Sequence, residues 1–483
     1  MQLLKIKNYI NGQYLEAQSE GEILNINPAT NEPISIIPIS SNADINQAVS
    51  AATAAFPAWK TMSHDARFRI LNAIADQIES HAQQLAEAET NDTGKPLWLS
   101  KSIEIPRAAS NFRFFATASM QFASESHYNP GQNINFTLRQ ALGVVACISP
   151  WNLPLYLFSW KIAPALAAGN CVVAKPSELS PTTAMLLGDL CTKAGLPPGV
   201  LNIVQGDGPT TGSALVSHPS IKAVSFTGGT ATGKKISSIL APQFKKLSLE
   251  LGGKNPCILF DDCDYEKTLN ELVRLSFSNQ GQICLCGSRI IIQSGIYDRL
   301  KKDFVKRVEQ IKIGDPLDPD TRMGSVISEQ HKQKVLSYIE LARQEGGKIL
   351  TGGTTHTPQG RCSQGHFILP TIIEGLSPSC RTNQEEIFGP VISLIPFDTM
   401  DQAIQIANES PYGLAATIWT QDLKKAHHLA EQINTGIVWI NCWLVRDLRT
   451  PFGGMNQSGL GREGGWEAMK FFTESKNVCI QYS

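Results

Sequence analysis

The segment FSNQGQIC, residues 277–284, is the part of the sequence best suited to nucleophilic chemistry. It places the thiol of Cys284 after a glycine and a row of side-chain amides. A catalytic thiol has to be accessible, has to ionise, and needs hydrogen-bond donors for the oxyanion that it generates. The structural alternative is that Cys284 and Cys286 are two of eleven ordinary buried thiols. A Cys-x-Cys metal pair is disfavoured because no second Cys/His cluster at zinc spacing accompanies it, and we expect no metal site.

Two further segments carry side chains that could assist such a thiol. Glu250 lies inside an apolar strand just before Gly252 and Gly253. A buried carboxyl group is costly unless it is paired or takes part in proton transfer, so Glu250 is either a structural carboxylate or a base. Asn152 lies between two prolines in SPWNLP, residues 149–154. Its side-chain amide could bind an oxyanion, and the alternative is a turn residue.

Two segments could hold phosphate groups. AKPSE (174–178) follows an apolar strand, at the carboxyl edge where α/β proteins bind ligands. FTGGTATGK (226–234) follows another strand and opens a helix, whose first N–H groups can bind an anion. The second segment nearly matches a nucleoside-triphosphate loop, but Lys235 stands where Ser or Thr would bind magnesium. No complete GxGxxG is present, so these residues alone leave the nucleotide open.

Length, charge and cysteine usage narrow the class of protein. At 483 residues the chain is expected to form two or three domains. A formal net charge of −1 without a long Lys/Arg run predicts neither a nucleic-acid nor a membrane partner. No apolar stretch is long enough for a transmembrane helix. The amino terminus lacks the apolar core of a secretion signal, and the cysteines form no CxxC pair. A cytoplasmic protein with reduced thiols is therefore expected.

Hydrophobic periodicity predicts an α/β fold. Short strands are expected in the first fifty residues, with turns at Asn11-Gly12 and Asn27-Pro28. Helical spacing of Ala, Leu and Ile follows over 43–58, 64–90 and 102–122. Strands then alternate with helices: strands near 143–148, 171–174, 200–204 and 223–226, and helices near 155–168, 180–194 and from 230. Such alternation predicts βαβ units and a parallel sheet covered on both faces. A second series of alternating strands and helices is expected from Pro256 to about residue 440.

These elements divide into two α/β domains with the break near 253. We expect residues 1–125 and 144–253 to form the first domain and residues 254–443 the second. Residues 126–143 alternate apolar and polar side chains, and together with the tail at 468–483 they are expected to form an exposed β-arm. Because exposed strand edges need covering, pairing with a second subunit is one use for this arm.

Taken together, in their order and over nearly the whole chain, these segments resemble the aldehyde dehydrogenase superfamily. The matching motifs are PWNLP (150–154), AKPSE (174–178), FTGG (226–229), LELGGKNP (249–256), FSNQGQIC (277–284), EEIFGP (385–390) and PFGG (451–454). The resemblance implies two α/β domains with parallel sheets, the first a Rossmann-like NAD-binding domain. It also implies a small β oligomerisation arm and hence a homodimer or homotetramer.

Carried over residue by residue, the resemblance implies a covalent mechanism. Cys284 would be the nucleophile, Asn152 and the Cys284 backbone N–H would hold the oxyanion, and Glu250 would activate the water that hydrolyses a thioester. The implied contacts to NAD are Trp151, Lys175, Glu178, Gly228, Gly229, Glu386 and Phe388. A carboxylate at Glu178 would bond a ribose 2′-hydroxyl and repel a 2′-phosphate, which favours NAD over NADP. Members commonly have serine where this chain has Gly229, so one hydroxyl contact to the pyrophosphate is lost.

A finer resemblance is to the muconic semialdehyde dehydrogenases, the 2-aminomuconic and 2-hydroxymuconic enzymes. The segments that carry it are IPRAASNFRFFA (105–116), PWNLPLYLFSWKIAPALAAGN (150–170), GQICLC (281–286) and NCWLVRDLRTPFGGM (441–455). Arg107 and Arg446 are candidates for binding a substrate carboxylate, because a guanidinium binds carboxylate bidentately. The alternative is that each is a surface or interface arginine.

Three aromatic residues complete the expected substrate site: Tyr156, Trp160 and Phe452. Asn152, Tyr156 and Trp160 fall at i, i+4 and i+8, so a helix starting near Pro154 would place them on one side.

Four alternatives to a semialdehyde dehydrogenase remain at this stage. An acylating enzyme, which resolves the thioester with coenzyme A or phosphate, is disfavoured by the water-activating Glu250. A general aldehyde dehydrogenase would lack a preference for acidic substrates. An ATPase built on residues 228–234 and a non-catalytic descendant belong to other classes. The sequence does not distinguish an amino from a hydroxy muconic semialdehyde.

Overall fold

Two large sheets, each flanked by helices, form the body of the molecule. The computed structural model describes residues 3–18 and 21–482. The first sheet has eight strands, in the spatial order Gly459–Leu460, Lys246–Glu250, Ile221–Thr227, Val144–Ile148, Cys171–Lys175, Leu201–Ile203, Asn8–Ile10 and Gln13–Leu15. The five strands from Lys246–Glu250 to Leu201–Ile203 are parallel. Their carboxyl ends therefore meet at one edge, where a ligand site is expected.

The second sheet has seven strands. Their spatial order is Lys348–Thr351, Thr371–Glu374, Val391–Phe397, Gly287–Gln293, Asn255–Leu259, Ala415–Trp419 and Ile437–Ile440. All neighbours are parallel except the first pair. The interior strand Asn255–Leu259 is buried throughout, as expected of a strand covered on both faces.

The α/β class predicted from the sequence is confirmed, but both sheets are mixed at their edges. In the first sheet the antiparallel additions are the hairpin Asn8–Leu15 on one side and Gly459–Leu460 on the other. The hairpin forms because Asn11 and Gly12, with φ of 53° and 78°, make the tight turn predicted for this dipeptide.

Each of the six segments before Lys254 in which periodicity predicted a helix is helical, and further helices lie outside them. The helices before Lys254 are Asn42–Thr61, His64–Ser80, Ala82–Thr93, Leu97–Leu99, Ile105–Gln121, Pro154–Ala167, Thr182–Lys193, Ser213–Ser217 and Thr230–Leu240, with a 3₁₀ turn at Ala241–Gln243 and a π turn at Gly208–Gly212. Those after it are Tyr265–Phe277, Ser294–Glu309, Glu329–Gln344, Arg381–Gln384, Met400–Asn408, Leu423–Gln432 and Gly465–Phe471, with 3₁₀ turns at Ser278–Gly281 and Gly360–Cys362.

Two predicted helices differ from expectation. The single helix predicted over 64–90 is two helices, because His81 leaves the helical region (φ −107°, ψ 18°). The helix predicted from 102 begins at Ile105, after a π turn at Ser100–Glu104. Pro106 has no N–H to donate to the residue four positions earlier, which removes one bond of the regular ladder.

A three-stranded antiparallel sheet forms the arm. Its strands are Ser126–Asn129, Asn133–Ala141 and Thr473–Gln481. Leu138 pairs with Lys476, so the predicted pairing of the arm with the tail is confirmed. The role of the arm between subunits and the division of the chain near 253 stay predictions.

Smaller elements complete the chain. They are the sheet of Leu4–Lys5, Glu22–Asn27 and Glu32–Pro38, and the two-stranded pairs Thr355–His356 with Phe367–Ile368 and Tyr412–Gly413 with Met455–Asn456. Among the residues described, no helix is both long and apolar enough to cross a membrane.

Candidate active site

The loop before Cys284 has an unusual backbone. Asn279, Gln280 and Gly281 all have positive φ, at 49°, 59° and 69°. The left-handed region is costly for residues other than glycine, and runs of such residues concentrate at functional sites. A Cβ on Gly281 would collide with the carbonyl of Gly389. The local chain path therefore requires glycine at 281.

Side chains hold the carbonyl groups around Cys284. Asn255 Nδ2 donates to the carbonyl oxygens of Cys284 at 2.7 Å and Cys286 at 2.9 Å. The indole Nε1 of Trp443 donates to the carbonyl of Leu285 at 2.9 Å. These hydrogen bonds hold the loop in place, although the loop has no regular secondary structure. The backbone N–H of Cys284 has no hydrogen-bond partner within the described chain, so it can donate to a ligand.

Asn152 lies beside Cys284, and both line the same cavity. It follows the strand Val144–Ile148 and precedes the helix that begins at Pro154, as predicted. One N–H of its amide donates to the carbonyl of Gln282 at 2.9 Å, and an amide nitrogen has a second N–H to offer. This second N–H and the Cys284 backbone N–H are suitable donors for an oxyanion formed next to the sulfur.

The cavity combines residues from both predicted domains. Seven predicted residues line it: Trp151, Asn152, Gly228, Gly229, Cys284, Glu386 and Phe388. Phe388 has φ of 61°, and its ring packs edge-on against Trp151 with 5.4 Å between centres. His331 Nε2 contacts the Phe388 carbonyl at 2.7 Å and also lines the cavity. Sequence reasoning missed His331, which lies on a helix without a recognised motif.

The end of the strand Ile221–Thr227 suits a phosphate group. Gly229 precedes the helix Thr230–Leu240, whose first N–H groups lack intrahelical partners. A Cβ on Gly229 would meet no heavy atom within 4 Å, so a ligand has room to approach. The buried hydroxyl of Thr227 has no partner among the described residues. Because helix N-termini and free donors bind anions, these residues fit the pyrophosphate of a dinucleotide.

Glu386 also lines the cavity. Its Oε1 accepts a hydrogen bond from the Gly253 N–H at 3.0 Å. Burial raises the pKa of Glu386, while the charges of Lys334 and Lys254 act to lower it. A Cβ on Gly252 would collide with the Glu386 carboxyl group, so glycine at 252 makes room for this side chain. Lys334 also lines the cavity and was not predicted.

Lys175 and Glu178 lie outside this cavity, beyond the end of the strand Cys171–Lys175. Lys175 Nζ is 3.5 Å from Glu178 Oε2, and the side chains are 3% and 34% exposed. Burial lowers the pKa of Lys175, and the charge of Glu178 opposes this effect. Their strand is two positions from Ile221–Thr227, which corresponds to about 10 Å across the sheet. An extended ligand along the sheet edge could reach both places.

Glu250 ends the strand next to Ile221–Thr227. It is 4% exposed, and neither carboxyl oxygen has a hydrogen-bond partner among the described residues. Burial raises the pKa of Glu250 well above its ordinary value, and the charge of Glu463 adds to this effect. Glu463 itself accepts from Lys161 at 2.8 Å. Sequence reasoning missed this buried pair, which joins residues far apart in the chain. Glu250 is not among the residues that line the cavity of Cys284.

The Cys284 thiol is protonated in this state. Burial raises its pKa, the charges of Glu386 and Glu250 raise it further, and the charge of Arg446 lowers it. A thiol becomes a good nucleophile only after it loses its proton. Cys284 therefore needs a proton acceptor when it reacts.

Both candidate arginines lie over aromatic rings. Arg446 Cζ is 4.0 Å from the centre of the Phe452 ring and 5.2 Å from that of Trp160. Arg107 Cζ is 5.9 Å from the centre of the Tyr156 ring. Within the described chain neither guanidinium forms an ion pair, which leaves both able to bind an anion.

The fold and the cavity define a two-sheet α/β protein with a thiol in the wall of a cavity that also has Gly228, Gly229 and Glu386 in its lining. The family model described as "Aldehyde dehydrogenase family" matches residues 14–478. The chain belongs to the aldehyde dehydrogenase family, and the resemblance inferred from the motifs is confirmed.

Individual relatives agree with this assignment. The 2-aminomuconic semialdehyde dehydrogenase of Mus musculus is 47% identical and covers 100% of this chain and 99% of its own. The 2-hydroxymuconic semialdehyde dehydrogenase of Pseudomonas sp. (strain CF600) is 43% identical, with 99% of each chain covered. An aldehyde dehydrogenase from Bacillus cereus, solved as an NAD⁺ complex, is 36% identical with a TM-score of 0.96, covering 99% of this chain and 97% of that one.

Proposed function

We propose that this protein oxidises an aldehyde to a carboxylic acid, with NAD as acceptor, through a thioester on Cys284. One observation carries the proposal. Cys284 has an unpartnered backbone N–H and lies beside the Asn152 amide, in a cavity that Gly228 and Glu386 also line.

The first step joins the substrate to the chain. The Cys284 sulfur attacks the carbonyl carbon, and the thiol proton passes to water, so that Glu250 stays unprotonated for the second step. The carbonyl oxygen becomes an oxyanion, which accepts hydrogen bonds from Asn152 Nδ2 and from the Cys284 N–H. When bound, NAD supplies the acceptor for the hydride that leaves the former carbonyl carbon.

The second step releases the product. Glu250 takes a proton from a water molecule, and the water oxygen attacks the thioester carbonyl. The carbon–sulfur bond breaks, the acid leaves, and Cys284 is restored. Glu250 suits this role because neither of its oxygens is bound to a described residue.

The proposed cofactor contacts are Trp151, Lys175, Glu178, Gly228, Gly229, Glu386 and Phe388. Glu178 supports NAD over NADP, because a carboxylate repels a 2′-phosphate. Solved relatives described as NAD⁺ complexes include the Bacillus cereus enzyme and a Pseudomonas syringae indole-3-acetaldehyde dehydrogenase variant.

The proposed substrate is a muconic semialdehyde that carries a carboxylate, in its 2-amino or 2-hydroxy form. Arg446 and Arg107 would bind that carboxylate, with Tyr156, Trp160 and Phe452 enclosing the planar chain. Support comes from the unpaired guanidinium groups and from relatives named for both semialdehydes.

A panel assay tests this proposal. NADH absorbance is followed with both muconic semialdehydes and with a neutral aldehyde of similar length. We expect kcat/KM to be highest for one of the acidic semialdehydes. Equal turnover of the neutral aldehyde would instead indicate a general aldehyde dehydrogenase. Cys284→Ala should abolish NADH formation while NAD binding, measured by fluorescence titration, stays unchanged.

We also propose a homo-oligomer assembled through the arm. The outer strand Ser126–Asn129 is exposed along its whole length and offers a free edge for pairing. Sedimentation analysis would distinguish a dimer from a tetramer, and a monomer would refute the proposal. A cytoplasmic location, expected from the cysteine usage, remains a prediction.

A further inference from the structure

A fully buried lysine lies behind Asn152. Lys95 Nζ donates to the backbone carbonyl of Asn152 at 2.8 Å, and its side chain is 0% exposed. Asn279 Nδ2 donates to the same oxygen at 3.0 Å. Asn152 lies between a strand and a helix, so regular secondary structure offers this carbonyl no partner. Two side chains therefore hold the Asn152 peptide in place.

Two buried carboxyl groups surround Lys95. Its Nζ is 3.0 Å from Glu104 Oε1 and 3.8 Å from Glu89 Oε1. Burial raises the pKa of Glu89 well above its ordinary value, and the charge of Glu104 adds to the effect. Burial therefore favours the uncharged form of the Glu89 carboxyl group. A buried ion cluster is often no more stabilising than apolar residues, so stability alone does not account for it.

The backbone next to Lys95 is attached to the loop of Cys284. Gly94 has φ of 72°, and a Cβ there would collide with the Ser325 hydroxyl. The Ser325 N–H donates to the Gly94 carbonyl at 3.2 Å, and Gln280 Nε2 donates to the Ser325 carbonyl at 2.8 Å. Lys95 thus connects the Asn152 loop to the segment that carries the thiol.

We propose that Lys95 is a positioning residue for aldehyde oxidation and acts through the Asn152 carbonyl. The inference rests on the proposed oxyanion role of Asn152. The carbonyl and the side-chain amide belong to one residue, so a peptide rotation that breaks the Lys95 contact also displaces the amide. A misplaced oxyanion donor weakens the transition state more than substrate or NAD binding.

A double-mutant cycle tests the proposal. Lys95→Met removes the ammonium at similar side-chain length. We expect kcat to fall about tenfold or more, while KM for the aldehyde and Kd for NAD change less than about twofold. In an Asn152→Ala background, Lys95→Met should change kcat less than about twofold, because the donor that it positions is already absent. If Lys95→Met lowered kcat by the same factor in both backgrounds, the proposal would be overturned. It would also be overturned if the substitution did not lower kcat in the native background.

Three controls separate the possible failures. Lys245 also donates to backbone carbonyls, those of Val216 at 3.1 Å and His218 at 2.8 Å, away from the cavity. Lys245→Met should leave kcat unchanged. If Lys95→Met does not fold, the double variant Lys95→Met with Glu104→Gln removes both charges of the 3.0 Å ion pair and goes through the same cycle. If Asn152→Ala alone keeps full kcat, the oxyanion role of Asn152 is wrong.

Discussion

The guanidinium of Arg446 lies over the ring of Phe452, with 4.0 Å between Cζ and the ring centre. A guanidinium stacked on an aromatic face keeps its N–H edge free for a carboxylate. Burial raises the pKa of Cys284 and of Glu250, and the charge of Arg446 opposes this rise at both groups. An acidic substrate could therefore be anchored close to the thiol.

Arg446→Ala tests this anchoring. The substitution should raise KM for an acidic semialdehyde about tenfold to a hundredfold, because a charge-assisted hydrogen bond contributes about 1.5–3 kcal/mol. KM for a neutral aldehyde should change little. Arg449→Ala is the matched control, since Arg449 is exposed and already paired with Asp447 at 2.6 Å. An equal rise in KM for acidic and neutral aldehydes would remove Arg446 from the substrate site.

Glu250 should give thioester hydrolysis a pH dependence. A base works when deprotonated, so hydrolysis should become faster as pH rises through the Glu250 pKa, which burial raises above its ordinary value. Glu250→Gln should remove this dependence, so that a burst of NADH is followed by slow turnover. Mass spectrometry of acid-quenched enzyme should then find the acyl group on Cys284. Unchanged steady-state turnover would exclude Glu250 as the base.

Glu386 should influence the reactivity of Cys284. Its charge raises the pKa of the thiol, so Glu386→Gln should lower that pKa and accelerate alkylation of Cys284 by iodoacetamide at about pH 8. Peptide mass spectrometry follows Cys284 separately from the other cysteines. Cys191, which is fully buried and away from the site, serves as an internal control that should stay unmodified. Slower alkylation of Cys284 would contradict the prediction.

Gly229→Ser should tighten NAD binding. A Cβ at this position meets no heavy atom within 4 Å, so the serine fits and can offer a hydroxyl to a phosphate. One added hydrogen bond contributes about 1 kcal/mol, which corresponds to a fall in Kd of about fivefold. Gly228→Ser is the contrasting variant, because its Cβ would collide with the Phe226 ring. Fluorescence titration measures the Kd for NAD of both variants. A higher Kd for Gly229→Ser would show that the added hydroxyl does not bind the cofactor.

Local patterns in the sequence were sufficient to predict several features of the fold. The Asn11-Gly12 turn, the helix start at Pro154 and the alternating apolar strands all depend on neighbouring residues. The same signals missed the break at His81 and the π turn before Ile105, where single residues interrupt an otherwise regular pattern.

The unpredicted parts of the site depend on contacts across the chain. His331 reaches the cavity through Phe388, and Lys95 meets Asn152 across 57 residues. No local sequence motif marks either residue. Their partners are distant in the sequence and come together only when the chain has folded. The motifs identified the reacting groups, whereas the residues that support them required the structure.

The short strand Gly459–Leu460 has a consequence for how the protein is made. It pairs with Leu249 and Glu250, and soon after it Glu463 meets Lys161 from 302 residues away. A ribosome has to synthesise the chain as far as Glu463 before all of these partners exist. A nascent or carboxyl-terminally truncated polypeptide should therefore be inactive, even when every motif for binding and chemistry has already been synthesised.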